Sequence, residues 1–167
     1  MAGPFRFKCA VCDEWHEGMP SFGAIAPLYY YYIPEAEREA RCQLSSDTCV
    51  IDESDFFVRG CIELPVEGTE EPFIWGVWVS LSKEHFAEFE AHFECDSRVL
   101  QGPYFGWLSA AIATYPDTEN LKTMVHMRDN GQRPYIELEP TEHPLAVEQR
   151  NGISRDRVAE IYAAYMH

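Results

Sequence analysis

The sequence predicts an α+β domain in which helices pack on a largely antiparallel sheet. Three observations lead to this fold class. Apolar and polar residues alternate with a period of two over residues 73–81, as in a strand with one buried face. An Asn130-Gly131 pair separates two further extended runs. Three segments begin with residues that favour helix starts, and two of them have apolar residues at helical spacing.

Residues 56–66 and 73–81 form the first predicted strand pair. An acidic, glycine-containing connection over residues 67–72 joins them, which favours an antiparallel hairpin with a longer loop. One face of the second strand is apolar at every position: Phe73, Trp75, Val77, Val79 and Leu81. We expect this face to be buried in the core.

The second predicted hairpin is centred on Asn130-Gly131. Asn-Gly tolerates the positive φ angles of a type I′ turn, which is the commonest short connection between antiparallel strands. The flanking runs, residues 121–128 and 133–139, are both extended in pattern. These two strands are therefore predicted to pair.

Three helices are predicted. The first covers residues 34–42, where Pro34 lies in the first turn and its missing amide proton costs little. Ser82 and Ser154 are the predicted N-caps of the other two. Apolar residues follow these caps at helical spacing: Phe86, Phe89 and Phe93 in one helix, and Val158, Ile161, Tyr162 and Tyr165 in the other. The second of these stripes should dock on the sheet.

The length of 167 residues and the 46% of hydrophobic residues predict one domain over residues 1–167. The apolar runs are interrupted well short of the about 18 residues of a membrane span, so we expect no membrane association. The basic residues near the N-terminus precede no apolar segment of the secretory type. A cytoplasmic protein is therefore predicted.

The charge of the chain bears on its partners. With 28 acidic and 13 basic residues the formal net charge is −15. Such a surface repels phosphate backbones, and Lys and Arg do not cluster in the sequence, so we expect no nucleic-acid partner. Two interpretations of the charge remain: a solubilising surface, and a face complementary to a basic protein partner.

The chain contains six cysteines. They are Cys9, Cys12, Cys42, Cys49, Cys61 and Cys95. Because no export signal is apparent, we expect reduced thiols rather than a disulfide framework. Cys61 lies in a strand-like run and Cys95 follows phenylalanines at helical spacing, so both are predicted to be inert structural thiols.

Cys9, Cys12 and His16 form the first candidate site. A Cys-x-x-Cys turn lets two thiolates reach one zinc ion, and a structural site then needs two further ligands. His16 is the predicted third ligand. The fourth would be brought in by folding from three candidates: Cys42, Cys49 or His143.

Two alternatives to zinc stay open for this Cys-x-x-Cys pair. A redox pair usually follows a strand and opens a helix, whereas residues 13–20 have the pattern of a loop. The other alternative is a pair of unligated thiols near an N-terminal hairpin.

A second candidate site follows from residues 133–139. If this run is a strand, one face is polar, and His126 or Arg128 on the preceding strand can meet it across the hairpin. The catalytic candidates are Arg133, Glu137, Glu139, His143 and His126. Carboxylates beside imidazole or guanidinium suit acid–base chemistry, but cross-strand ion pairs on a solvated face give the same pattern. Asp47, Asp52 and Arg59 form a third group of this kind.

Motifs of common enzyme classes are missing from the sequence. The chain contains no Gly-x-Gly-x-x-Gly, no Gly-x-x-x-x-Gly-Lys and no Gly-x-Ser-x-Gly. Nucleotide-dependent enzymes and serine hydrolases therefore lose their usual sequence support.

Long stretches of the chain resemble a bacterial family known only as domain of unknown function 2199. The stretches are SSDTCVID (45–52), FFVRG (56–60), FIWGVWVSLS (73–82), FGWL (105–108), RPYIELEPTEHPLA (133–146) and EQRNGI (148–153). Related sequences carry Cys-x-x-Cys followed by glycine near the start, where this chain has Asp13, a residue type that tolerates left-handed backbone. The family has no established activity, so the resemblance implies no reaction.

Two functions follow from the sequence. The first is a small acidic protein-binding module with a structural zinc ion, for example a regulatory protein or an immunity protein that neutralises a toxin. The alternative is a metal-dependent or acid–base enzyme that uses the strand carboxylates with His143 or His126. A deep pocket that joins those residues would favour the enzyme, and a flat sheet face with paired charges would favour the binding module.

Overall fold

A computed structural model of the chain describes residues 5–94 and 101–167. The strands are β1 (Arg6–Lys8), β2 (Trp15–Glu17), β3 (Ser21–Gly23), β4 (Cys42–Leu44), β5 (Thr48–Ile51), β6 (Asp55–Leu64), β7 (Phe73–Leu81), β8 (Tyr104–Leu108), β9 (Lys122–His126) and β10 (Tyr135–Leu138). The helices are α1 (Leu28–Tyr32), α2 (Arg38–Arg41), α3 (Lys83–Ala91), α4 (Pro144–Asn151) and α5 (Arg155–Met166). Cys95, predicted to be an inert thiol, lies outside the described residues.

Strands β6 to β10 close into a five-stranded barrel. Consecutive strands from β6 to β10 pair antiparallel, and β10 returns to β6 in parallel, with Tyr135 opposite Cys61. The α+β class is therefore confirmed, but the largely antiparallel sheet must be corrected to a sheet that closes on itself. Closure removes the exposed strand edges that an open sheet would carry.

Gly60 on β6 permits this closure. A Cβ atom at Gly60 would lie 2.6 Å from Cδ1 of Ile136 and 2.9 Å from the carbonyl oxygen of Pro134. The Cys61 amide donates to that same carbonyl oxygen at 2.9 Å. Only a residue without a side chain lets β10 approach β6 this closely.

The β6–β7 hairpin is the longest pairing in the described residues. It runs from Phe56 opposite Leu81 to Leu64 opposite Phe73. The side chains predicted to face the core are buried, with Phe73, Val77 and Val79 at 0% exposure. Strand β6 also pairs with β5, which pairs with β4, and strand β7 also pairs with β3. These three strands extend the sheet beyond the closed barrel.

The two strands flanking Asn130-Gly131 pair as predicted. Tyr135 pairs with His126, and Asn130 and Gly131 have φ angles of 62° and 70°. The paired strands are shorter than the predicted runs 121–128 and 133–139. Pro134 lies immediately before β10, a position at the start of a strand where proline is tolerated.

Both predicted serine caps are present. Ser82 Oγ and Ser154 Oγ each accept a backbone N–H, from His85 and Arg157 respectively, at 3.1 Å. Behind the Ser82 cap, Phe86 and Phe89 are buried and Phe93 is 36% exposed. The stripe on α5 is graded: Val158 and Ile161 are buried, Tyr162 is half-buried and Tyr165 is 38% exposed.

The single helix predicted over residues 34–42 is wrong: a 3-10 turn covers Glu35–Glu37 and the short helix α2 follows. Helix α1, which contains the tyrosine run, was not predicted and ends before Ile33. Pro34 separates α1 from this segment, because a residue before proline avoids the helical region, and Ile33 has ψ of 131°.

The core lies inside the barrel and beneath α3, α4 and α5. A smaller apolar cluster lies outside the barrel under α1, around Phe57 and Trp78. Trp78 is fully buried, and its indole N–H donates to the carbonyl oxygen of Ala24 at 3.0 Å. Among the described residues, the helices are too short and too polar to cross a membrane.

Candidate functional site

The β1–β2 hairpin carries the two cysteines of the first candidate site in its connection. The Cys9 amide donates to the carbonyl oxygen of Glu14 at 2.9 Å, and the Asp13 amide donates to that of Cys9 at 3.1 Å. Asp13 has a φ of 59°. An aspartate thus occupies the left-handed region, and the connection between the strands turns at it.

The two thiols differ in their surroundings. Cys9 is 1% exposed, and the Cys12 amide, which donates a hydrogen bond to its sulfur, lowers the pKa of the Cys9 thiol. For Cys12 the Glu14 amide acts in the same direction, but burial and the neighbouring Cys9 sulfur together raise the pKa of the Cys12 thiol. The two sulfurs are therefore close enough to influence each other.

The C-terminal residue completes a cluster with these thiols. One ligand atom each of Cys9, Cys12 and His167 lies within 4.8 Å of the other two. Zinc–sulfur bonds of about 2.3 Å and zinc–nitrogen bonds of about 2.0–2.1 Å place neighbouring ligand atoms on a tetrahedral ion about 3.3–3.8 Å apart. The three side chains can thus reach one ion after a small movement.

His16, the predicted third ligand, lies beside this cluster. Its Nε2 atom is 3.4 Å from Sγ of Cys12. The imidazole ring packs between two aromatic rings, with centroid distances of 5.4 Å to Phe7 and 4.6 Å to Tyr162. Sequence reasoning missed His167, because no local spacing relates a C-terminal residue to an N-terminal hairpin.

The other predicted fourth ligands lie elsewhere. Cys42 and Cys49 are on the adjacent strands β4 and β5, and burial raises the pKa of the Cys49 thiol to about 12. His143 is the N-cap of α4: its Nδ1 accepts the Leu145 amide at 3.1 Å, and its Nε2 is 3.0 Å from the carbonyl oxygen of Asp117.

The catalytic candidates are distributed over three interactions. His126 Nε2 and Glu137 Oε1 are 3.0 Å apart on the outer face of β9 and β10. Arg133 instead pairs with Asp47 at 3.1 Å. His143 is engaged in the α4 cap, and Glu139 lies at the end of β10. The structure therefore joins one predicted pair, His126 and Glu137.

The residues of the third predicted group, Asp47, Asp52 and Arg59, do not form one site. Arg41 donates to both carboxylate oxygens of Asp52, at 2.8 and 2.7 Å, and these hydrogen bonds lower the pKa of Asp52. The Arg59 guanidinium lies 5.9 Å from the centre of the Trp78 ring and donates to the carbonyl oxygen of Ser46 at 3.3 Å. Burial lowers the pKa of Arg59. The Arg41–Asp52 contact is an ion pair, whereas Arg59 contacts an aromatic ring and a backbone carbonyl.

Sequence reasoning missed an exposed aromatic pair on β8. Phe105 and Trp107 are 41% and 42% exposed, and their rings meet edge to face at 5.1 Å. Strand β8 alternates between buried and exposed residues over Tyr104–Leu108. This period of two, visible in the sequence, was the signal that could have identified both the strand and its outer face.

The strand register assembles a continuous surface around this pair. Met124 on β9 lies opposite both Phe105 and Glu137, and Lys122 lies opposite Trp107. We call this surface the β8–β10 face and define it by Phe105, Trp107, Lys122, Met124, Glu137 and Glu139. A groove of about 300 Å³ covers part of this face, and its lining includes Phe105, Met124, Leu138 and both glutamates but not Trp107.

Comparison with known proteins gives one match. The family model described as "Uncharacterized protein conserved in bacteria (DUF2199)" matches residues 8–153. No curated protein and no solved structure matches the chain.

Proposed function

Because this chain belongs to the bacterial DUF2199 family, whose description names no activity, we propose a function from its own surface. The protein is an acidic binding module that holds a basic segment of a protein partner on the β8–β10 face. The observation that carries this proposal is the exposed Phe105–Trp107 pair, which shares the β8–β10 face with two carboxylates in a chain of net charge −15.

The aromatic pair supplies the binding energy in this proposal. Aromatic residues, tryptophan and tyrosine above all, are enriched at the centres of protein interfaces, where a polar rim excludes water from them. Phe105, Trp107 and the half-buried Met124 form such an apolar centre. Burial of apolar surface contributes about 25 cal/mol per Å², so two large rings supply a substantial share of a complex's stability.

The carboxylates supply the selectivity. Glu137 and Glu139 border the groove and are exposed, so lysine or arginine side chains of a partner can pair with them at the rim. The net charge of −15 attracts a basic partner over a longer range and raises its association rate at low salt. A role like that of an immunity protein, which captures a partner of opposite charge, fits this surface.

A structural zinc ion at Cys9, Cys12 and His16 belongs to the same proposal. The five described cysteines are free thiols: Cys9, Cys12, Cys42, Cys49 and Cys61. The proposal accordingly assigns the protein to the cytoplasm, where thiols stay reduced and available to metal. The ion supports the fold and takes no part in the contact with the partner.

The binding proposal is tested by quantitative pull-down from extracts of the source bacterium. We expect the chain to enrich a basic protein, Trp107→Ala to lose it, and added salt to weaken its capture. Trp15→Ala is the matched control, because Trp15 is 60% exposed but lies on β2, away from the face. Equal recovery with Trp107→Ala, or no enriched basic protein, would contradict the proposal.

One observation favours the alternative of an acid–base enzyme. His126 Nε2 lies 3.0 Å from Glu137 Oε1, and an imidazole oriented by a carboxylate is the arrangement of a general base. A substrate would then lie in the groove beside Glu137. This alternative requires an activity that His126→Ala and Glu137→Gln both abolish while the fold is retained.

A further inference from the structure

We propose that Cys9, Cys12, His16 and His167 form a Cys₂His₂ zinc centre that fastens the C-terminal end of α5 to the N-terminal hairpin. This inference deepens the zinc part of the proposed function by naming the distant ligand. It rests on that ion and does not depend on the partner or on the β8–β10 face.

The donor set suits zinc. Two thiolates and two imidazoles are a standard ligand combination of structural zinc sites, which are tetrahedral and closed to substrate. Thiolates also disfavour magnesium and calcium, which prefer oxygen ligands. Binding of the ion releases the protons of both thiols, so it is favoured as pH rises through neutrality.

Three of the four proposed ligands already lie in one cluster, and His16 lies beside it, next to Cys12. Cys9, Cys12 and His167 offer ligand atoms within 4.8 Å of one another, and His16 Nε2 is 3.4 Å from the Cys12 sulfur. Neighbouring nitrogen and sulfur ligands of one tetrahedral zinc ion are about 3.5 Å apart. His16 therefore already stands at ligand spacing from Cys12.

The last turns of α5 are held over the hairpin by aromatic packing. Tyr162 meets Phe7 edge to face at 5.1 Å and lies 4.6 Å from the His16 ring. His167 follows at the end of the helix, where its amide donates to Ala163 at 3.0 Å. The approach of His167 to the thiols is thus built by packed side chains and by the helix backbone.

The hairpin backbone holds the two cysteines in one closed connection. The Cys9 amide donates to the carbonyl oxygen of Glu14 at 2.9 Å, and the Asp13 amide donates to that of Cys9 at 3.1 Å. The left-handed Asp13 turns the chain immediately after Cys12, and the sulfurs of Cys9 and Cys12 lie within 4.8 Å of each other.

The four proposed ligands differ in their exposure to solvent. Cys9 is 1% exposed, Cys12 and His16 are half-buried, and His167 is exposed. His167 is therefore the ligand that can leave with least disruption. Because His167 is at the C-terminal end of α5, a bound ion would hold that end of the helix in place. Loss of His167 would in turn weaken the affinity of the site for zinc.

The test is zinc content and affinity in protein purified without chelator. We expect about one equivalent of zinc in the wild type and under a tenth of an equivalent in Cys9→Ser and Cys12→Ser. His167→Ala and His16→Ala should each weaken zinc affinity at least about tenfold in competition with a chromophoric chelator, since even outer-shell changes cost about 10–100-fold. Cys61→Ser and His126→Ala are the matched controls and should keep wild-type affinity.

His167→Ala keeps the proposal falsifiable if the cysteine variants fail to fold, because His167 is exposed at the chain end. Wild-type affinity in His167→Ala would overturn the fastening of the C-terminus, and wild-type affinity in His16→Ala would overturn the four-ligand set. Less than a tenth of an equivalent in the wild type would overturn the centre itself. Pull-down with His167→Ala should still recover a partner bound through Trp107, so failure of one proposal is separable from failure of the other.

Discussion

Two hairpins of the molecule differ in what stabilises them. The β6–β7 hairpin has nine residue pairs and lies in the barrel, where its inward side chains are buried. The β1–β2 hairpin has three pairs and forms a sheet of its own, with Phe7 as its one buried strand residue. An isolated two-stranded hairpin is at best marginally stable in water.

The two hairpins are stabilised by different interactions. The barrel is stabilised by apolar burial, which acts on the whole fold at once. The short hairpin depends on the ring contacts of Phe7 and His16 with Tyr162 and, in our proposal, on a zinc ion. We therefore expect the hairpin to open at a lower free energy than the barrel.

Truncation of Trp78, in the apolar cluster between β7 and α1, should have the largest effect on stability. Trp78 on β7 is fully buried and donates to Ala24. Loss of a buried tryptophan costs about 3–5 kcal/mol, because a cavity remains. Urea unfolding of Trp78→Ala should show this loss of unfolding free energy, and a loss below about 1 kcal/mol would place Trp78 outside the cooperative core.

Gly60→Ala should destabilise the closure of the barrel, with a smaller loss of unfolding free energy than Trp78→Ala. The new methyl group would lie 2.6 Å from Cδ1 of Ile136, and Ile136 is fully buried and cannot move aside freely. Overpacking of this kind costs about 1–3 kcal/mol. Thermal unfolding measures the loss of stability. Gly131→Ala is the control: Gly131 has a positive φ, but a Cβ atom at this position would meet nothing within 4 Å. Its effect therefore reports backbone strain without overpacking.

Tyr115 should make the stability of the barrel fall at high pH. Its hydroxyl accepts from Trp75 at 3.2 Å and donates to Glu148 at 2.6 Å, and burial together with Glu148 raises its pKa. The unfolded side chain has a pKa of about 10. Above that pH the unfolded state binds fewer protons than the native state, so unfolding free energy decreases with rising pH.

Tyr115→Phe separates this effect from general alkaline unfolding. The variant should lose about 1–3 kcal/mol near neutral pH, because Glu148 and Trp75 lose a buried partner, and its decline above pH about 10 should be shallower. Burial also raises the pKa of Tyr104 to about 12, so some decline should remain. An unchanged slope in Tyr115→Phe would contradict the assignment.

Trp107→Ala should have the smallest effect on stability. Trp107 is 42% exposed on the outside of the same barrel, and surface substitutions usually change unfolding free energy by no more than about 0.5 kcal/mol. Urea unfolding beside Trp78→Ala gives the contrast directly. A loss above about 2 kcal/mol would mean that Trp107 supports the fold and is not free for a partner.

The sequence predicted those parts of the fold that depend on neighbouring residues. The alternation in β7, the Asn130-Gly131 turn and the caps at Ser82 and Ser154 each act over a few residues, and all four are present. Asp13, a residue type that tolerates left-handed backbone, has a φ of 59°.

The parts that the sequence did not predict depend on residues distant in the chain. Closure of the barrel requires β10 to pair with β6 in parallel, Tyr135 with Cys61, and no local pattern specifies such a partner. The candidate metal cluster likewise joins Cys9 and Cys12 to His167 at the other end of the chain. Spacing along the chain predicted Cys9, Cys12 and His16, and only folding brings in His167.

Hydrogen exchange with and without chelator tests the contrast between the two regions most directly. We predict that removal of zinc speeds amide exchange in β1, β2 and the last turns of α5, while the amides of β6 and β7 keep their protection. Unchanged exchange in the hairpin, or an equal increase across the barrel, would contradict the claim that a zinc centre fastens the chain ends to each other.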